Sequence, residues 1–205
     1  HVHSTRLSED GRRLYVADLG LDRVLCYDIG KDAELTPSGE DSQIYLPKGE
    51  GPRHFVFRNQ GRFLYLAAEL GNKVFVYETK DGGKAYENIQ TVSTLPDGYQ
   101  GENTAADIHF SVDGRYLYVS NRGMDSLVLY EADKETGRIE TRGFYEAFGK
   151  CPRNFCITPD NGYVLIANQE SGNVVLCKRD IVTGGICGKA DEVKIPRVAF
   201  VECAE

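Results

Sequence analysis

The sequence predicts an all-β fold that is built from four copies of one repeating unit. One pattern, an Asp-Gly-type turn followed by a strand of the Arg-Tyr-Leu-Tyr-Val type, recurs four times along the 205 residues. No segment shows a helical period over a useful length. The composition agrees, because 22 glycines, 12 tyrosines and 27% charged residues form a balance that is ordinary for a soluble β-rich protein.

Each copy of the repeat reads as four strands. The turn residue that supplies a positive φ sets the register, and these residues are Gly11, Gly61, Gly114 and Asn161, about 50 residues apart. One strand precedes the turn, and a strand rich in aromatic and branched residues follows it. A third strand is predicted at 23–27, 73–77, 126–130 and 173–177, and a weaker fourth near 43–46, 89–93, 143–147 and 192–195.

Four antiparallel strands per repeat at this period are typical of a β-propeller blade. A two-sheet sandwich is the alternative, but it does not require four copies of one motif in phase. The sequence thus predicts one propeller domain over 1–205, with blades at about 1–50, 51–103, 104–150 and 151–205. Because a blade buries both faces, we expect further N-terminal blades beyond this chain, or tight association with another chain. The tail 197–202 would then pair with one of those blades to close the ring.

Charge and cysteine usage narrow the class of protein. The net charge of −7 argues against a nucleic-acid-binding surface, which needs a basic stripe. No stretch approaches 18 apolar residues, so no membrane-spanning helix is predicted. The six cysteines form no C-x-x-C and several lie in apolar strand patterns, which predicts reduced thiols that act mostly as small hydrophobes in a cytoplasmic protein. No ligand spacing for zinc or any other metal is visible, and no cofactor is predicted.

Polar residues gather at two positions of the repeat. In an antiparallel blade, the start of the innermost strand and the end of the second strand lie at the same edge, which faces one mouth of the central channel. The innermost strands start with His3, Arg53, Ala106 and Arg153, next to Ser4, His54, Asp107 and Asn154. The second strands end with Asp18, Ala68, Asn121 and Asn168, followed by Leu19, Glu69, Arg122 and Gln169.

Two interpretations of these polar residues stay open. Arginines, a glutamate and histidines that face each other form a site for an anion. Alternatively, charged and Asx residues at strand ends only satisfy backbone groups of the loops. His109 lies further along its strand and is interpreted either as a packing residue or as one that supports the site from behind.

Several segments resemble those of the propeller lactonases. They are His-Val-His-Ser at 1–4, Gly-Pro-Arg-His at 51–54, Ala-Ala-Asp-Ile-His at 105–109, Ser-Asn-Arg at 120–122 and Cys-Pro-Arg-Asn at 151–154. That family includes bacterial 6-phosphogluconolactonases and a fungal carboxymuconate-lactonising enzyme. The resemblance runs over essentially the whole chain. Full members carry seven blades, so this chain would cover about four of them and could be inactive alone.

The resemblance implies a catalytic set of His1 or His3, Arg53, Glu69 and Arg122. The repeat register adds substrate-binding candidates, which are His54, Asn121, Arg153, Asn168, Gln169 and Asp18. The implied activity is hydrolysis of a sugar-acid lactone, 6-phosphogluconolactone to 6-phosphogluconate in the pentose phosphate pathway, without metal or cofactor.

In this interpretation Glu69 or a histidine activates water, while Arg53 and Arg122 hold the small anionic lactone and its oxyanion. We expect Arg53 and Glu69 to form an ion pair, and Arg122 to reach the same pocket from the next blade. A carboxymuconate-type lactonising enzyme is one alternative. A non-catalytic propeller that binds a ligand or protein is the other.

Overall fold

The computed structural model describes residues 1–80 and 83–203. Within this part of the chain, the regular structure consists of 17 β-strands and two short 3₁₀ helices, Leu19–Leu21 and Glu40–Ser42, and it includes no α-helix. The all-β prediction is therefore confirmed.

The strands form four antiparallel sheets, and strand order in each sheet follows the chain. The first contains β1 (Val2–Leu7), β2 (Arg13–Asp18), β3 (Arg23–Ile29), β4 (Leu35–Pro37) and β5 (Ile44–Tyr45), with β4 and β5 both paired to β3. The second contains β6 (Pro52–Arg58), β7 (Phe63–Ala68), β8 (Lys73–Lys80) and β9 (Ala85–Ser93). The third contains β10 (Thr104–Phe110), β11 (Tyr116–Arg122), β12 (Ser126–Ala132) and β13 (Ile139–Glu146). The fourth contains β14 (Pro152–Ile157), β15 (Tyr163–Asn168), β16 (Asn173–Arg179) and β17 (Ile186–Lys194).

The chain divides into two compact units. The first unit, His1–Val92, contains the first two sheets, and the second unit, from Ser93 onward, contains the other two. The predicted extent of a single propeller domain and the blade limits within it stay predictions.

The hairpin between the first two strands of each sheet follows the repeat. Its turn residue has a positive φ in all four sheets, 67° at Gly11, 79° at Gly61, 69° at Gly114 and 64° at Asn161, as the sequence predicts. The second strands are also in register. The repeat tyrosines lie opposite equivalent pairs of residues: Tyr15 opposite Arg6 and Cys26, Tyr65 opposite Val56 and Val76, and Tyr118 opposite His109 and Leu129.

The outer strands differ most from the prediction. In three sheets the fourth strand begins four to six residues earlier than expected, at Ala85, Ile139 and Ile186. Each of these strands begins with a buried or half-buried apolar residue, but mostly exposed residues follow, many of them polar, so no apolar alternation marks the strand. Register shifts in β13 and β17 further break the two-residue period. In the first sheet the fourth strand is shorter than predicted, and the additional strand β4 was not predicted.

Each unit has its own apolar core between its two sheets. In the first unit Phe55, Leu64 and Leu66 pack with Val24 and Phe75. In the second unit Tyr118, Leu127, Leu129, Phe155 and Ile166 do so. The sheets bury one face against the other in both units, as propeller blades do.

The cysteines only partly fit the expectation of small core hydrophobes. All six are free thiols, but only Cys26 and Cys177 are buried within a core. Cys151, Cys156 and Cys203 are half-buried and Cys187 is exposed, because the strand ends and the tail that carry them lie outside the cores.

We expect the core leucines to determine stability. Leu66→Ala removes a fully buried side chain, so it should lower the free energy of unfolding by about 2–5 kcal/mol. The matched change Leu35→Ala, on an exposed position of the outer strand β4, should cost under about 0.5 kcal/mol. Urea unfolding measures both. Equal losses would show that the interior of the first unit is assigned wrongly.

Candidate functional site

The innermost strands begin with β-bulges, which the sequence did not reveal. In the second sheet Pro52 lies opposite Ala68 and His54 opposite Ala67, so Arg53 is an extra residue between them. His3 and Arg153 occupy the same extra position in β1 and β14. A bulge bends its strand and redirects a side chain. It thus explains how Arg53, His3 and Arg153 can present charged or polar groups at the sheet edge.

Arg53 and Glu69 form a buried ion pair within the second sheet. Arg53 Nε lies 2.7 Å from Glu69 Oε2, and the side chains are 2% and 17% exposed. The Glu69 N–H donates a hydrogen bond to the Gly51 carbonyl at 2.7 Å, which fixes the glutamate next to the bulge. The expected ion pair is therefore present, and its burial strengthens the interaction compared with a surface pair.

His3 of the first sheet joins this pair. Its Nε2 lies 3.8 Å from Glu69 Oε2, and its ring packs edge-on against that of His54, with 5.3 Å between centroids. The Ser4 hydroxyl donates a 2.6 Å hydrogen bond to the Arg53 carbonyl and so joins β1 to β6 at this edge. We name His3, Arg53, His54 and Glu69 the HREH cluster.

The pKa of His3 is lowered to about 4, mainly by burial and then by the electrostatic effects of Arg53 and His54, while Glu69 opposes this fall. Near pH 7 His3 is therefore neutral and has a lone pair that can accept a proton. The imidazolium would be stabilised by the Glu69 carboxylate beside it.

His1 lies apart from the HREH cluster. Its side chain is 94% exposed, and its backbone nitrogen lies 2.6 Å from Asp18 Oδ1. Of the two histidines that the sequence left open, the geometry favours His3.

Three of the predicted substrate-binding residues bind backbone groups instead. Asp18 accepts hydrogen bonds from the N–H groups of Gly20 and Leu21 and caps the short helix that follows it. Asn121 and Asn168 are fully buried at the ends of their strands. Asn121 donates to the Thr94 carbonyl at 2.7 Å and Asn168 to the Ala147 carbonyl at 3.0 Å. Their geometry therefore fits the alternative interpretation, in which strand-end polar residues satisfy loops.

The remaining candidates lie in the second unit. Arg122 donates a hydrogen bond from Nη2 to the Ala105 carbonyl at 3.2 Å, and the Gln169 N–H donates to the Cys151 carbonyl at 2.9 Å. Burial raises the pKa of the Cys151 thiol, while the charges of Arg122 and Arg153 oppose that rise, so both arginines lie near this cysteine. The prediction that Arg122 reaches the same pocket as Arg53 stays a prediction.

His109 has a structural role that the sequence left open. Its Nε2 lies 2.8 Å from Oδ2 of the buried Asp107, and its ring packs edge-on against Phe155. Asn154 donates to the same carboxylate oxygen at 2.5 Å, so Asp107 joins β10 to β14. In the sequence Asp107 was only one of several polar residues at strand starts, and nothing in the sequence indicated that it is deeply buried.

A cavity of about 750 Å³ lies at the opposite edge of the first unit, between the hairpin turns. Two of the three arginines that line it have carboxylate partners: Arg13 pairs with Asp28 and Arg62 with Glu78, each at 3.0 Å. The HREH cluster instead combines a buried charge pair with a neutral histidine, so it is the better candidate for chemistry.

The lowered pKa of His3 predicts a pH dependence of stability. An unfolded histidine binds its proton near pH 6.5 and folded His3 only near 4, so the unfolded state gains protons first and stability falls as pH drops through this window. We expect His3→Gln to reduce the fall in Tm between pH 7 and pH 4.5, measured by calorimetry. His1→Gln, at the exposed position, is the control and should behave as the wild type. An imidazole titration of His3 near pH 6.5 would contradict this assignment.

Comparisons with known proteins agree with the architecture. An uncharacterised protein of Lactococcus lactis is 37% identical over 202 residues, which are 98% of this chain and 58% of that protein. A 6-phosphogluconolactonase of Bacillus subtilis is 33% identical over 196 residues, which are 96% of this chain and 55% of that enzyme. The solved structure of a periplasmic gluconolactonase of Pseudomonas aeruginosa superposes with a TM-score of 0.90 at 34% identity, covering 96% of this chain and 55% of that one.

This chain thus spans 55–58% of the length of these relatives. Among the residues that the structure describes, no helix is long and apolar enough to cross a membrane. The model of the lactonase family with a seven-bladed β-propeller matches residues 1–203. With the four repeated sheets and this match, the chain belongs to the seven-bladed β-propeller lactonase family.

Proposed function

We propose that the protein hydrolyses a sugar-acid lactone, 6-phosphogluconolactone, at the HREH cluster. The observation that carries the proposal is the buried Arg53–Glu69 pair beside the neutral His3. Burying a charge pair is costly, and the fold does not need one at this position, because the third sheet has Ala106 where the second has Arg53.

Arg53 would bind the anionic substrate and the developing oxyanion. Opening a lactone passes through a tetrahedral intermediate whose oxygen becomes negative, and a fixed cation in a water-poor site stabilises it strongly. The Glu69 carboxylate holds the guanidinium at Nε, so the donor is oriented before the substrate arrives.

His3 would remove the proton from the attacking water. It is neutral near pH 7, and Glu69, 3.8 Å away, would stabilise the imidazolium that forms. An anionic substrate that neutralises Arg53 also removes one of the charges that lower the pKa of His3. Binding would therefore make His3 a stronger base at the moment it is needed.

The substrate class rests on the relatives. The Bacillus subtilis relative is named a 6-phosphogluconolactonase and the Pseudomonas aeruginosa one a gluconolactonase, so both names point to a lactone of gluconic acid. Arg122, Arg153, His54 and Gln169 complete the proposed substrate-binding set, with Arg122 as a second arginine for the anion.

The direct experiment measures lactone opening by the protein at its full natural length. Freshly made 6-phosphogluconolactone is followed in an assay coupled to the product acid and corrected for spontaneous hydrolysis. Gluconolactone and a carboxymuconolactone are run in parallel. We expect the highest kcat/KM with the phosphorylated lactone. A preference for the carboxymuconolactone would replace the substrate assignment, and no acceleration of any lactone would reject the function.

Replacing Glu69 tests the charge next to His3 and Arg53. Glu69→Gln keeps the shape but loses the carboxylate, so kcat should fall by about 10²- to 10³-fold. Glu78→Gln is the matched control, since Glu78 forms an ion pair with Arg62 on the other edge of the sheet. Circular dichroism checks that both variants fold. Full activity of Glu69→Gln would remove Glu69 from the mechanism.

The next variant changes the geometry of the side chain at position 53 but keeps its positive charge. Arg53→Lys keeps a cation but cannot donate in the planar fork, so kcat/KM should fall by at least about 10²-fold. Arg62→Lys, in the exposed ion pair, should leave kcat/KM within about twofold. If Arg53→Lys retains wild-type kcat/KM, Arg53 does not bind the reacting group.

A further inference from the structure

The tail after β17 runs beside β14, the first strand of the fourth sheet. The Val201 N–H donates a 2.7 Å hydrogen bond to the side-chain oxygen of Asn154. The same kind of hydrogen bond joins the fourth sheet to the third, where the Phe155 N–H donates to a side-chain oxygen of Asp107 at 3.4 Å. The tail therefore runs beside β14 and binds it through the same kind of side-chain contact that joins β14 to β10.

This position brings two cysteines together. Cys156 Sγ on β14 lies 3.3 Å from Cys203 Sγ in the tail, although the two residues are 47 positions apart in the sequence. Both side chains are half-buried, so a small oxidant can reach them. A disulfide requires the sulfurs to be about 2 Å apart, so the bond needs an approach of only about 1 Å.

We propose that Cys156 and Cys203 are a redox-active pair that hydrogen peroxide closes to a disulfide, fastening the tail to β14. A thiolate attacks one peroxide oxygen, the O–O bond breaks, and a sulfenic acid and hydroxide form, the hydroxide taking up the thiol proton as water. The second sulfur then attacks the sulfenic sulfur, the S–S bond forms, and a second water leaves. Two thiols are oxidised by two electrons, and one peroxide is reduced to two waters.

The surroundings of Cys156 suggest the order of these steps. Burial, followed by its hydrogen bond with Cys203, raises the pKa of Cys156 to about 12. Because the thiolate is the form that attacks peroxide, little of Cys156 is in the attacking form near pH 7. Cys156 therefore suits the resolving step, in which its sulfur attacks a sulfenic sulfur on Cys203 at 3.3 Å.

The disulfide would stabilise the seam between the tail and the fourth sheet. It closes a loop that contains all of β15, β16 and β17, so it restricts the unfolded chain. It also acts next to Asn154, which holds both the tail and Asp107. Oxidation should thus hold the tail beside β14.

The test uses the protein at its full natural length, treated with hydrogen peroxide and then with an alkylating reagent. We expect mass spectrometry of the intact protein to show two fewer alkyl groups than in the reduced and alkylated protein, and peptide mapping to join the peptides of Cys156 and Cys203. The Tm should rise by roughly 5 °C on oxidation and return with dithiothreitol. Cys203→Ser should abolish the joined peptide and the Tm rise.

Cys187→Ser is the matched control, because Cys187 is exposed and its thiol donates to the Gly185 carbonyl at 3.8 Å. It should leave the peroxide response of the wild type unchanged. A mass gain of about 16 or 32 Da without the joined peptide would overturn the proposal. So would a disulfide that joins any other two of the six cysteines, or an unchanged Tm once the Cys156–Cys203 bond has formed.

Discussion

Burial of one sheet face against the other within each unit is the constraint on which this structure depends. Each unit encloses its own apolar core, which includes Phe55 and Leu66 in the first unit and Leu129 and Phe155 in the second. A charged side chain has no place within such a face, because an unpaired buried charge is prohibitively costly. The charged residues of the HREH cluster accordingly lie at the sheet edge, where strands begin and end.

The β-bulges allow charged residues of the site to lie at the sheet edge despite this constraint. A regular strand alternates its side chains between the two faces of its sheet, and the extra residue of a bulge breaks this alternation. Arg53 and His3 are such residues, and each lies next to the end of a second strand. Glu69, just beyond the end of β7, then supplies the carboxylate that makes the burial of Arg53 tolerable. The stability of the edge and its proposed reactivity rest on the same pair.

Much of the fold and part of the site could be predicted from the sequence. The repeat shows which residues occupy equivalent positions, and antiparallel pairing shows which of these positions lie close together. The positive-φ turns, the equivalent tyrosines and the closeness of Arg53 to Glu69 follow from that argument alone. The β-bulges could not be predicted in this way, since one extra residue does not visibly change the sequence pattern of a short strand. The bounds of the outer strands were predicted poorly for a different reason, because their mostly exposed residues show no apolar alternation.

The roles of the polar residues at the strand ends could not be predicted from the sequence either. Asp18, Asn121 and Asn168 occupy the same repeat position near the charged residues, yet their side chains bind backbone groups of neighbouring loops. The partner of each depends on loop conformation, which the repeat does not encode. The contact between Cys156 and Cys203 depends likewise on the course of the tail.

The central claim is that Arg53 and Glu69 act as one unit in one site. A double-mutant cycle on kcat/KM, with Arg53→Met, Glu69→Gln and the double variant at full natural length, tests it most directly. If each residue works only through the other, the double variant should lose about as much kcat/KM as the worse single variant. Losses that multiply, with no coupling between the two changes, would contradict the account.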